Sequence, residues 1–240
     1  MAYKMLYLAR RAKDVAWADW PRTWKSHAVF ASQFPAMDGT IDWMRYTTRI
    51  DPSSLGLALG ELPVSTAHDG VSVAEAQDLS TFLGKGFTRE QRDLIDIDEL
   101  RVFDRYTPDF SFYCSETRPV AGPLGEAAVF RFLKRKAGVP RQDFVAALQG
   151  AHAADCVANA GALGVSRWAL NLSLGDLHPD FPFEAIDECW FATAEDAARA
   201  LRAPEMARVV AGLDGVCAMD AMVTMLTRPT HRWPREPRPA

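Results

Sequence analysis

The sequence of 240 residues predicts an α+β fold in which two βαββαβ repeats face each other as a barrel within one chain. Two observations predict this fold: landmark residues recur in the same order in both halves, and each half alternates strand-like and helix-like segments in one order. The landmarks are Arg11 with Arg135, His27 with His152, Trp43 with Trp168, and ETRP at 116–119 with LTRP at 226–229. The offset falls from 124 or 125 residues to 110, so the first repeat is the longer one.

Each predicted repeat opens with a strand and a helix. Residues 3–10 and 127–134 contain alternating β-forming side chains, which is typical of strands. Residues 19–34 and 141–160 have apolar side chains at helical spacing, and Pro21 stands where the first turn of a helix tolerates proline. We therefore expect a helix after the first strand of each repeat.

The remaining elements follow in matching order. Second strands are expected at 42–50 and 166–174, third strands at 70–75 and 184–191, and last strands at 109–116 and 219–226. Second helices are expected at 75–83 and 194–211, and a further helix is expected at 88–97, where Thr88 and Gln91 fit a capping box.

This order of elements is the split βαβ, or ferredoxin-like, unit, whose sheet carries helices on one face only. Two such sheets that face each other cover both open faces and form an intrachain α+β barrel. We therefore expect the first repeat at 1–120, the second at 121–230, and a Pro-rich tail at 231–240.

Composition limits the partners and the compartment. The net charge is −4 and no Lys/Arg cluster precedes the tail, so we expect no nucleic-acid partner. No stretch of about 20 apolar residues could span a bilayer, and the first apolar run is too short for a secretory signal. We therefore expect a cytoplasmic protein without a membrane partner. The four cysteines have no CxxC spacing, which predicts buried free thiols.

Alternation along the strands assigns side chains to the two faces of the sheet. Side chains expected beneath the helices are Leu6, Leu8, Trp43, Phe130, Phe132 and Trp168. Polar or aromatic side chains expected in the barrel interior are Tyr7, Tyr46, Arg131 and Asn171. An apolar wall with a few placed polar groups is typical of a ligand pocket, so we expect a small hydrophobic substrate inside the barrel.

Four side chains are candidates for catalysis: His27, His152, Tyr46 and Arg131. A histidine can take and return a proton near neutral pH, which supplies about 10²–10⁴-fold in rate. Alternatively, each histidine caps its helix end or binds a backbone carbonyl. Tyr46 could bind a substrate oxygen or only an internal partner. A buried Arg131 requires a carboxylate from Asp187, Glu188 or the substrate, and the alternative is a structural ion pair.

The expected substrate-binding side chains are Tyr7, Asn171, Glu188 and Trp190. Asp187 and Glu188 are neighbours on a strand and should point to opposite faces of the sheet. The remaining histidines, His68, His178 and His231, lack HxH or HxxxH spacing, so we expect no metal site. GKG at 84–86 lacks a phosphate-loop or dinucleotide pattern, and no cofactor is predicted.

Several short motifs together resemble a known family. Each first strand ends in basic residues (YLARR, FLKR), each first helix carries His-Ala near its end (WKSHA, LQGAHA), and an acidic pair precedes Trp-Phe in IDECWF at 186–191. DELRVFDR at 98–105 is similar to the family segment that leads into the last strand. The chain resembles the EthD-like branch of the dimeric α+β barrel superfamily, over nearly its whole length and as two copies.

The resemblance implies small-molecule chemistry. Members of this superfamily include cofactor-free monooxygenases, polyketide cyclases, lactone isomerases, decarboxylases and dehydratases, alongside haem enzymes, so the fold does not select a reaction. The first repeat has VSVAEA where the second has IDECWF, which implies unequal roles and favours His152, or the pair together, over His27 alone.

From these observations we expect a cofactor-independent lyase, dehydratase or isomerase that acts on an aromatic or polyketide-like molecule. The alternatives are a cofactor-free monooxygenase, a haem-binding enzyme, and a non-catalytic accessory protein that binds a ligand of a degradation pathway. A homo-oligomer could form through the barrel exterior or the tail.

Overall fold

The computed structural model describes residues 3–37, 40–58, 60–84, 86–175 and 177–233. Within these ranges the strands are β1 (Tyr3–Ala9), β2 (Trp43–Arg49), β3 (Gly70–Ala76), β4 (Ser111–Val120), β5 (Ala127–Leu133), β6 (Val165–Ser173), β7 (Ala185–Phe191) and β8 (Val223–Trp233). The α-helices are α1 (Trp20–Ala31), α2 (Arg89–Val102), α3 (Arg141–Ala147), α4 (Ala153–Leu163), α5 (Ala194–Arg202) and α6 (Pro204–Ala211). The predicted α+β class is confirmed.

The strands close into an antiparallel barrel in the order β1-β3-β2-β8-β5-β7-β6-β4. β1 lies between β3 and β4, and β5 lies between β7 and β8. The first four and last four strands join through the β2–β8 and β4–β6 pairs, and each of these pairs contains a register shift. The predicted repeat boundary at 120 coincides with the end of β4, and the predicted tail begins inside β8. Residues 234–240 of that tail lie outside the described residues.

Several helices differ from their predicted bounds. β3 is followed by one 3₁₀ turn at Leu79–Thr81 rather than by the helix predicted at 75–83. The helix predicted at 88–97 is α2, and Thr88 and Gln91 form the predicted capping box. Pro204 divides the helix predicted at 194–211, because proline disfavours helical backbone at the residue before it and Ala203 is extended.

The helix predicted at 141–160 is also interrupted. Residues Leu148–His152 form a π-helical segment between α3 and α4. Such a segment accommodates one extra residue in an α-helix. It places His152 at the junction of the segment with α4.

The barrel interior is packed with side chains. Lys4 Nζ donates to Glu188 Oε2 (2.8 Å) and Glu116 Oε1 (2.5 Å), so it links β1 both to the neighbouring β4 and to β7, which is not a neighbour of β1 in the sheet. Asn171 Nδ2 and Trp190 Nε1 also donate to Glu188, at 3.0 and 2.6 Å. Burial lowers the pKa of Lys4, but the charges of Glu188 and Glu116 outweigh it and raise that pKa above its ordinary value.

The strand faces differ from those predicted. Leu6 shares a face with the interior Lys4, and Phe130 lies directly opposite Glu188, so both point into the barrel rather than beneath helices. Leu8 and Phe132 lie two residues further along the same strands and therefore also point into the barrel. Tyr7 and Arg131 point outward, contrary to prediction. The seven residues of β5 and of β7 are all buried, so apolarity does not distinguish the two faces of these strands.

The second strands differ in the same way. Trp43 lies inside the barrel with Lys4 Nζ 5.6 Å from its ring centre, whereas Trp168 lies outside against α4 as predicted. Tyr46 stacks on Trp24 of α1 and is therefore outside, whereas Asn171 is inside as predicted. The two tryptophans, and likewise Tyr46 and Asn171, do not occupy equivalent positions.

Two smaller predictions are confirmed. All four cysteines, Cys114, Cys156, Cys189 and Cys217, are buried and free. Asp187 and Glu188 point to opposite faces of the sheet, because Asp187 bonds to Arg131 outside and Glu188 bonds to Lys4 inside.

Candidate active site

A cavity of about 520 Å³ lies between the outer face of the first-half sheet and helices α1 and α2. It is outside the barrel, whereas the sequence analysis predicted a substrate in the barrel interior. Its apolar wall includes Met5, Met37, Ile41, Met44, Phe82 and Phe87. Its polar wall includes Tyr7, His27, Tyr46, Arg92, Asp96, Glu99 and Tyr113. Trp233, at the end of β8, completes the lining.

Trp24 of α1 fixes the position of this helix on the sheet. Its ring stacks on Tyr46 with ring centres 4.5 Å apart, and its Nε1 donates to the Tyr7 hydroxyl oxygen at 3.0 Å. The ring lies over Gly70 of β3, where a Cβ atom would be 2.5 Å from Trp24 Cζ3. The absence of a side chain at Gly70 therefore permits the contact. One helical turn later, His27 and Ala28 reach the cavity.

His27 is held in one orientation by a carboxylate. Its Nδ1 lies 2.7 Å from Asp98 Oδ2, and its side chain is only 8% exposed. Arg101 Nε donates to the other oxygen of Asp98 at 2.8 Å. Burial tends to raise the pKa of Asp98, but the hydrogen bonds from His27 and Arg101 outweigh it and lower that pKa. An ionised Asp98 favours the Nδ1–H tautomer, which leaves Nε2 as the basic atom of the ring.

Two tyrosines supply hydroxyl groups to the cavity. Tyr7 and Tyr46 lie opposite Ser72 in neighbouring strand pairs, so the two phenol rings are adjacent on one face of the sheet. Burial raises the pKa of Tyr7 to about 12. Burial, followed by the proximity of Tyr7, raises the pKa of Tyr46 well above its ordinary value. Both side chains therefore stay neutral and can donate hydrogen bonds to a ligand oxygen.

Glu99 is a functional candidate that the sequence analysis missed. Its side chain is buried, and Oε2 accepts a hydrogen bond from the Thr107 backbone N–H at 2.7 Å. Burial raises the pKa of Glu99, although the bonds from Thr107 and the charge of His27 act in the opposite direction. A buried carboxyl beside a histidine in an apolar cavity is typical of acid–base sites.

A sequence signal for Glu99 and Asp98 exists in the pattern of α2. This helix exposes Leu94, Ile97 and Leu100 while it buries Glu99, which is the reverse of an ordinary surface helix. A carboxylate on the inward side of such a helix indicates a polar site beneath it.

His152 and Arg131 lie elsewhere, on the outer face of the second-half sheet. Arg131 Nη1 donates to Asp187 Oδ2 at 2.7 Å, and His152 Nε2 lies 3.5 Å from the same oxygen. Trp168 Nε1 also donates to Asp187. Burial tends to raise the pKa of Asp187, but Arg131 and then His152 lower it to about 2. Neither His152 nor Arg131 lines the cavity.

The structure thus divides the predicted site residues among three places. His27, Tyr7 and Tyr46 share the cavity. His152 and Arg131 belong to the ion cluster around Asp187. Asn171, Glu188 and Trp190 belong to the network inside the barrel. Only the first group could contact a ligand in the cavity.

Metal-ligating side chains are scattered in the described part of the chain. Across those residues, no three His, Cys, Asp or Glu side chains are grouped so that they could hold a metal ion. His231 lies in β8, and its ring centre is 5.7 Å from that of Tyr46. No helix in the described ranges is long and apolar enough to cross a membrane.

No family model and no curated protein matches the chain in sequence. Solved structures match it over nearly its whole length. A protein described as anthrone oxidase-like has a TM-score of 0.60 and 12% identity, with 96% of this chain and 92% of that chain covered. A "putative monooxygenase" from Fusobacterium nucleatum subsp. nucleatum has a TM-score of 0.58 and 8% identity, with 96% and 93% covered.

A third match is a mutant chlorite dismutase from Candidatus Nitrospira defluvii. Its TM-score is 0.51 at 14% identity, with 95% of this chain and 92% of that chain covered. These matches are dimeric α+β barrel proteins, so this chain has the dimeric α+β barrel fold. Identities this low show the fold alone.

Proposed function

We propose that the protein is a cofactor-independent enzyme that moves a proton on a small apolar molecule bound in the cavity between α1, α2 and the sheet. One observation carries the proposal. His27 is fixed by Asp98 at Nδ1, and its Nε2 has no hydrogen-bond partner among the described residues while the ring borders a cavity with a large apolar wall. A histidine oriented by a carboxylate is an effective general base.

The cavity favours an aromatic or polyketide-like substrate. Its volume of about 520 Å³ lies within the range of small-molecule pockets, roughly 300–1,000 Å³. Methionine and phenylalanine side chains suit a flat apolar body. Tyr7 and Tyr46, which stay neutral, would hold a carbonyl or phenol oxygen of that body.

The proposed reaction has two proton transfers. His27 Nε2 takes a proton from a carbon or hydroxyl next to the held oxygen, and Asp98 stabilises the imidazolium that forms. The tyrosine hydroxyls stabilise the negative charge on the substrate oxygen. If His27 returns the proton to another atom of the substrate, the reaction is an isomerisation. If His27 gives the proton to a leaving group as that group departs, the reaction is that of a lyase or dehydratase.

We place this chemistry on His27 rather than on His152, which the sequence motifs favoured. Support comes from the surroundings of each ring, because His27 borders the cavity whereas His152 is 4% exposed and packed against Asp187 and Cys156. Membership of the EthD-like family and a tandem repeat of ferredoxin-like units remain part of the proposal. The order of elements in each half supports the repeat.

Comparison of two glutamine variants tests the proposal. Purified protein is incubated in D₂O with a panel of hydroxylated aromatic ketones, and deuterium incorporation and products are followed by NMR and mass spectrometry. We expect His27→Gln to lower turnover by about 10²–10⁴-fold and the matched control His152→Gln to keep it in any variant that folds. Turnover that survives His27→Gln would contradict the role of His27 as the base. Binding without turnover by the wild type would contradict the proposal that the protein is an enzyme.

A cofactor-free monooxygenase is the second candidate. The observation that favours it is the same one, because His27 with Asp98 could deprotonate a phenol to an electron-rich anion that reacts with O₂. An oxygen electrode separates the two functions: a lyase or isomerase consumes no O₂ with the substrate panel, whereas a monooxygenase consumes one O₂ for each product.

A haem enzyme is a poorer fit to the residues of the cavity. Haem carries two propionate carboxylates, and the charged side chains that line the cavity are the carboxylates Asp96 and Glu99 with one guanidinium, Arg92. This wall would repel the propionates. The absorption spectrum of the purified protein tests this point, because bound haem gives a strong Soret band.

We also propose that a second copy of the chain covers the outer face of α2. Leu94, Ile97 and Leu100 are 44%, 69% and 45% exposed on this face. Asp93 and Arg101 lie equally far on either side of Ile97, so an antiparallel α2 from another copy would bring Asp93 level with Arg101. Light scattering should show a dimer that Ile97→Glu dissociates and that Val157→Glu, on α4, leaves intact. A monomeric wild type would refute it.

A further inference from the structure

A cluster of basic side chains lies at the carboxyl ends of β1 and β2, away from the residues that line the cavity. Arg10 follows β1, Arg49 ends β2, and His68 and Asp69 precede β3. Asp69 N donates to Ala9 O at 2.8 Å, and Arg49 N donates to Asp69 O at 2.9 Å. These bonds place Arg10 and Arg49 on either side of Asp69. We call Arg10, Arg49 and His68 the Arg10–Arg49–His68 cluster.

Three buried nitrogen atoms of this cluster have no partner among the described residues. They are Arg10 Nε, Arg49 Nε and His68 Nδ1. Buried polar atoms are nearly always hydrogen-bonded, because a buried polar atom without a partner destabilises the fold. Three such atoms around one strand end therefore indicate an acceptor that is not among the described residues.

The acidic side chains nearby are already engaged. Asp69 accepts from Arg11, with Oδ1 2.5 Å from Nη1 and Oδ2 2.9 Å from the backbone N–H. Asp104 lies 3.5 Å from Arg105. Asp51 Oδ1 accepts a hydrogen bond from the Ser53 hydroxyl, and this bond, followed by the charge of Arg49, lowers the pKa of Asp51. Neither Arg10 nor Arg49 has an ion pair in the described part of the chain, so the cluster carries excess positive charge.

An aromatic ring holds one member of the cluster in place, and nearby positive charges lower the pKa of another. The guanidinium of Arg49 lies 4.7 Å from the ring centre of Trp17, which restricts its motion. Burial, followed by the charges of Arg10 and Arg105, lowers the pKa of His68 to about 4. His68 is therefore neutral near pH 7, and the guanidinium of Arg10 lies close enough to act on it.

We propose that the Arg10–Arg49–His68 cluster binds a small oxyanion, a carboxylate or phosphate group, between the two guanidiniums and the imidazole. An anion with two or three oxygens accepts several N–H donors at once, and charge-assisted hydrogen bonds are the strongest of these. This site is separate from the proposed active site and does not depend on its chemistry.

Anion binding is tested by calorimetry and thermal unfolding in sodium phosphate and in sodium acetate, each against sodium chloride at equal ionic strength. We expect saturable binding of one anion and a higher Tm than in chloride. Stronger binding of phosphate would assign a phosphate ligand, and stronger binding of acetate a carboxylate ligand. The same Tm in all three salts, with no binding heat, would overturn the proposal.

Variants locate the binding. Arg10→Gln with Arg49→Gln should weaken binding by about ten-fold or more, because at least two charge-assisted bonds are lost. The matched control Arg22→Gln changes an arginine that is 82% exposed and should bind like the wild type. Arg49→Lys keeps the charge but removes Nε–H, and it also should weaken binding if the double variant does not fold. Unchanged affinity in folded Arg49→Lys and double variants would overturn the assignment.

Discussion

His27 and His152 lie on the first helical segments after β1 and β5, but their rings contact different groups. His27 Nδ1 is bound by Asp98 and the ring borders open space. His152 Nε2 faces both Asp187 and Cys156, and its buried Nδ1 has no hydrogen-bond partner in the part of the chain that the structure describes. The contacts of each ring, rather than the position of the residue in the chain, therefore decide which histidine can exchange a proton with a ligand.

Gly70 gives a prediction at the scale of a single atom. A Cβ atom at this position would lie 2.5 Å from Trp24 Cζ3 and 2.6 Å from the Thr47 carbonyl oxygen. Gly70→Ala should therefore displace Trp24 from Tyr46 and cost about 1–3 kcal/mol of unfolding free energy, measured by urea denaturation with tryptophan fluorescence.

The control for that change is Gly215→Ala, where an added Cβ meets nothing within 4 Å. It should unfold within about 0.5 kcal/mol of the wild type. Equal stability of the two variants would show that Trp24 does not rest on Gly70 as described.

At the residue scale, the sequence assigned side chains to the wrong faces of the sheet. Tyr7 and Tyr46 were predicted inside the barrel, and they lie outside it, where they line one cavity with His27. Buried side chains occur on both faces of β1 and β2, so hydrophobic alternation offered no means to separate inside from outside.

At the scale of elements, α2 contributes both to the candidate site and to the stability of the fold. The helix supplies Glu99 to the cavity and Asp98 to His27, and it begins with the Thr88 capping box. Thr88→Ala removes the acceptor of the Gln91 backbone N–H, 3.2 Å away. We expect a loss of about 1 kcal/mol in unfolding free energy and faster amide exchange in the first turn of α2.

Thr193→Ala, which removes the corresponding cap of α5, serves as the control. It should lower stability by a similar amount while the amides of α2 exchange as in the wild type. Faster exchange in α2 in both variants would mean that helix α2 is not stabilised locally by its cap.

Elements with strong local signals were predicted well. The capping box gave the start of α2, and β-forming runs gave the strands. The π-helical segment at Leu148–His152 has no local signal, because its residues are ordinary helix formers apart from Gly150. Pro204 was itself a signal for the break between α5 and α6, but the helical periodicity of 194–211 predicted one continuous helix.

At the scale of the whole molecule, buried ion pairs connect stability to pH. Glu116 has its pKa lowered to about 2, because the charges of Lys4 and Arg167 outweigh burial, which acts the other way. Asp187 has its pKa lowered to about 2 as well. Both values lie below those of the unfolded chain, so the carboxylates stabilise the fold above about pH 4.5 and lose that contribution as the pH falls towards 2.

We therefore expect the free energy of unfolding to fall by a few kcal/mol between about pH 5 and pH 2, as measured by urea titration at several pH values. Glu116→Gln or Asp187→Asn, where the variant folds, should flatten that dependence. A pH profile that is flat in the wild type, or equally steep in both variants, would contradict the assignment of these two carboxylates.

The β2–β8 pair has a consequence for how the site is assembled during synthesis. β8 follows the other described strands in the sequence, and its Trp233 pairs with Met44 of β2 and lines the cavity that the first half otherwise builds. The β2 edge thus stays unpaired, and the cavity incomplete, until β8 of the second half has been synthesised and has paired with β2. The first half therefore cannot complete this cavity without the second half.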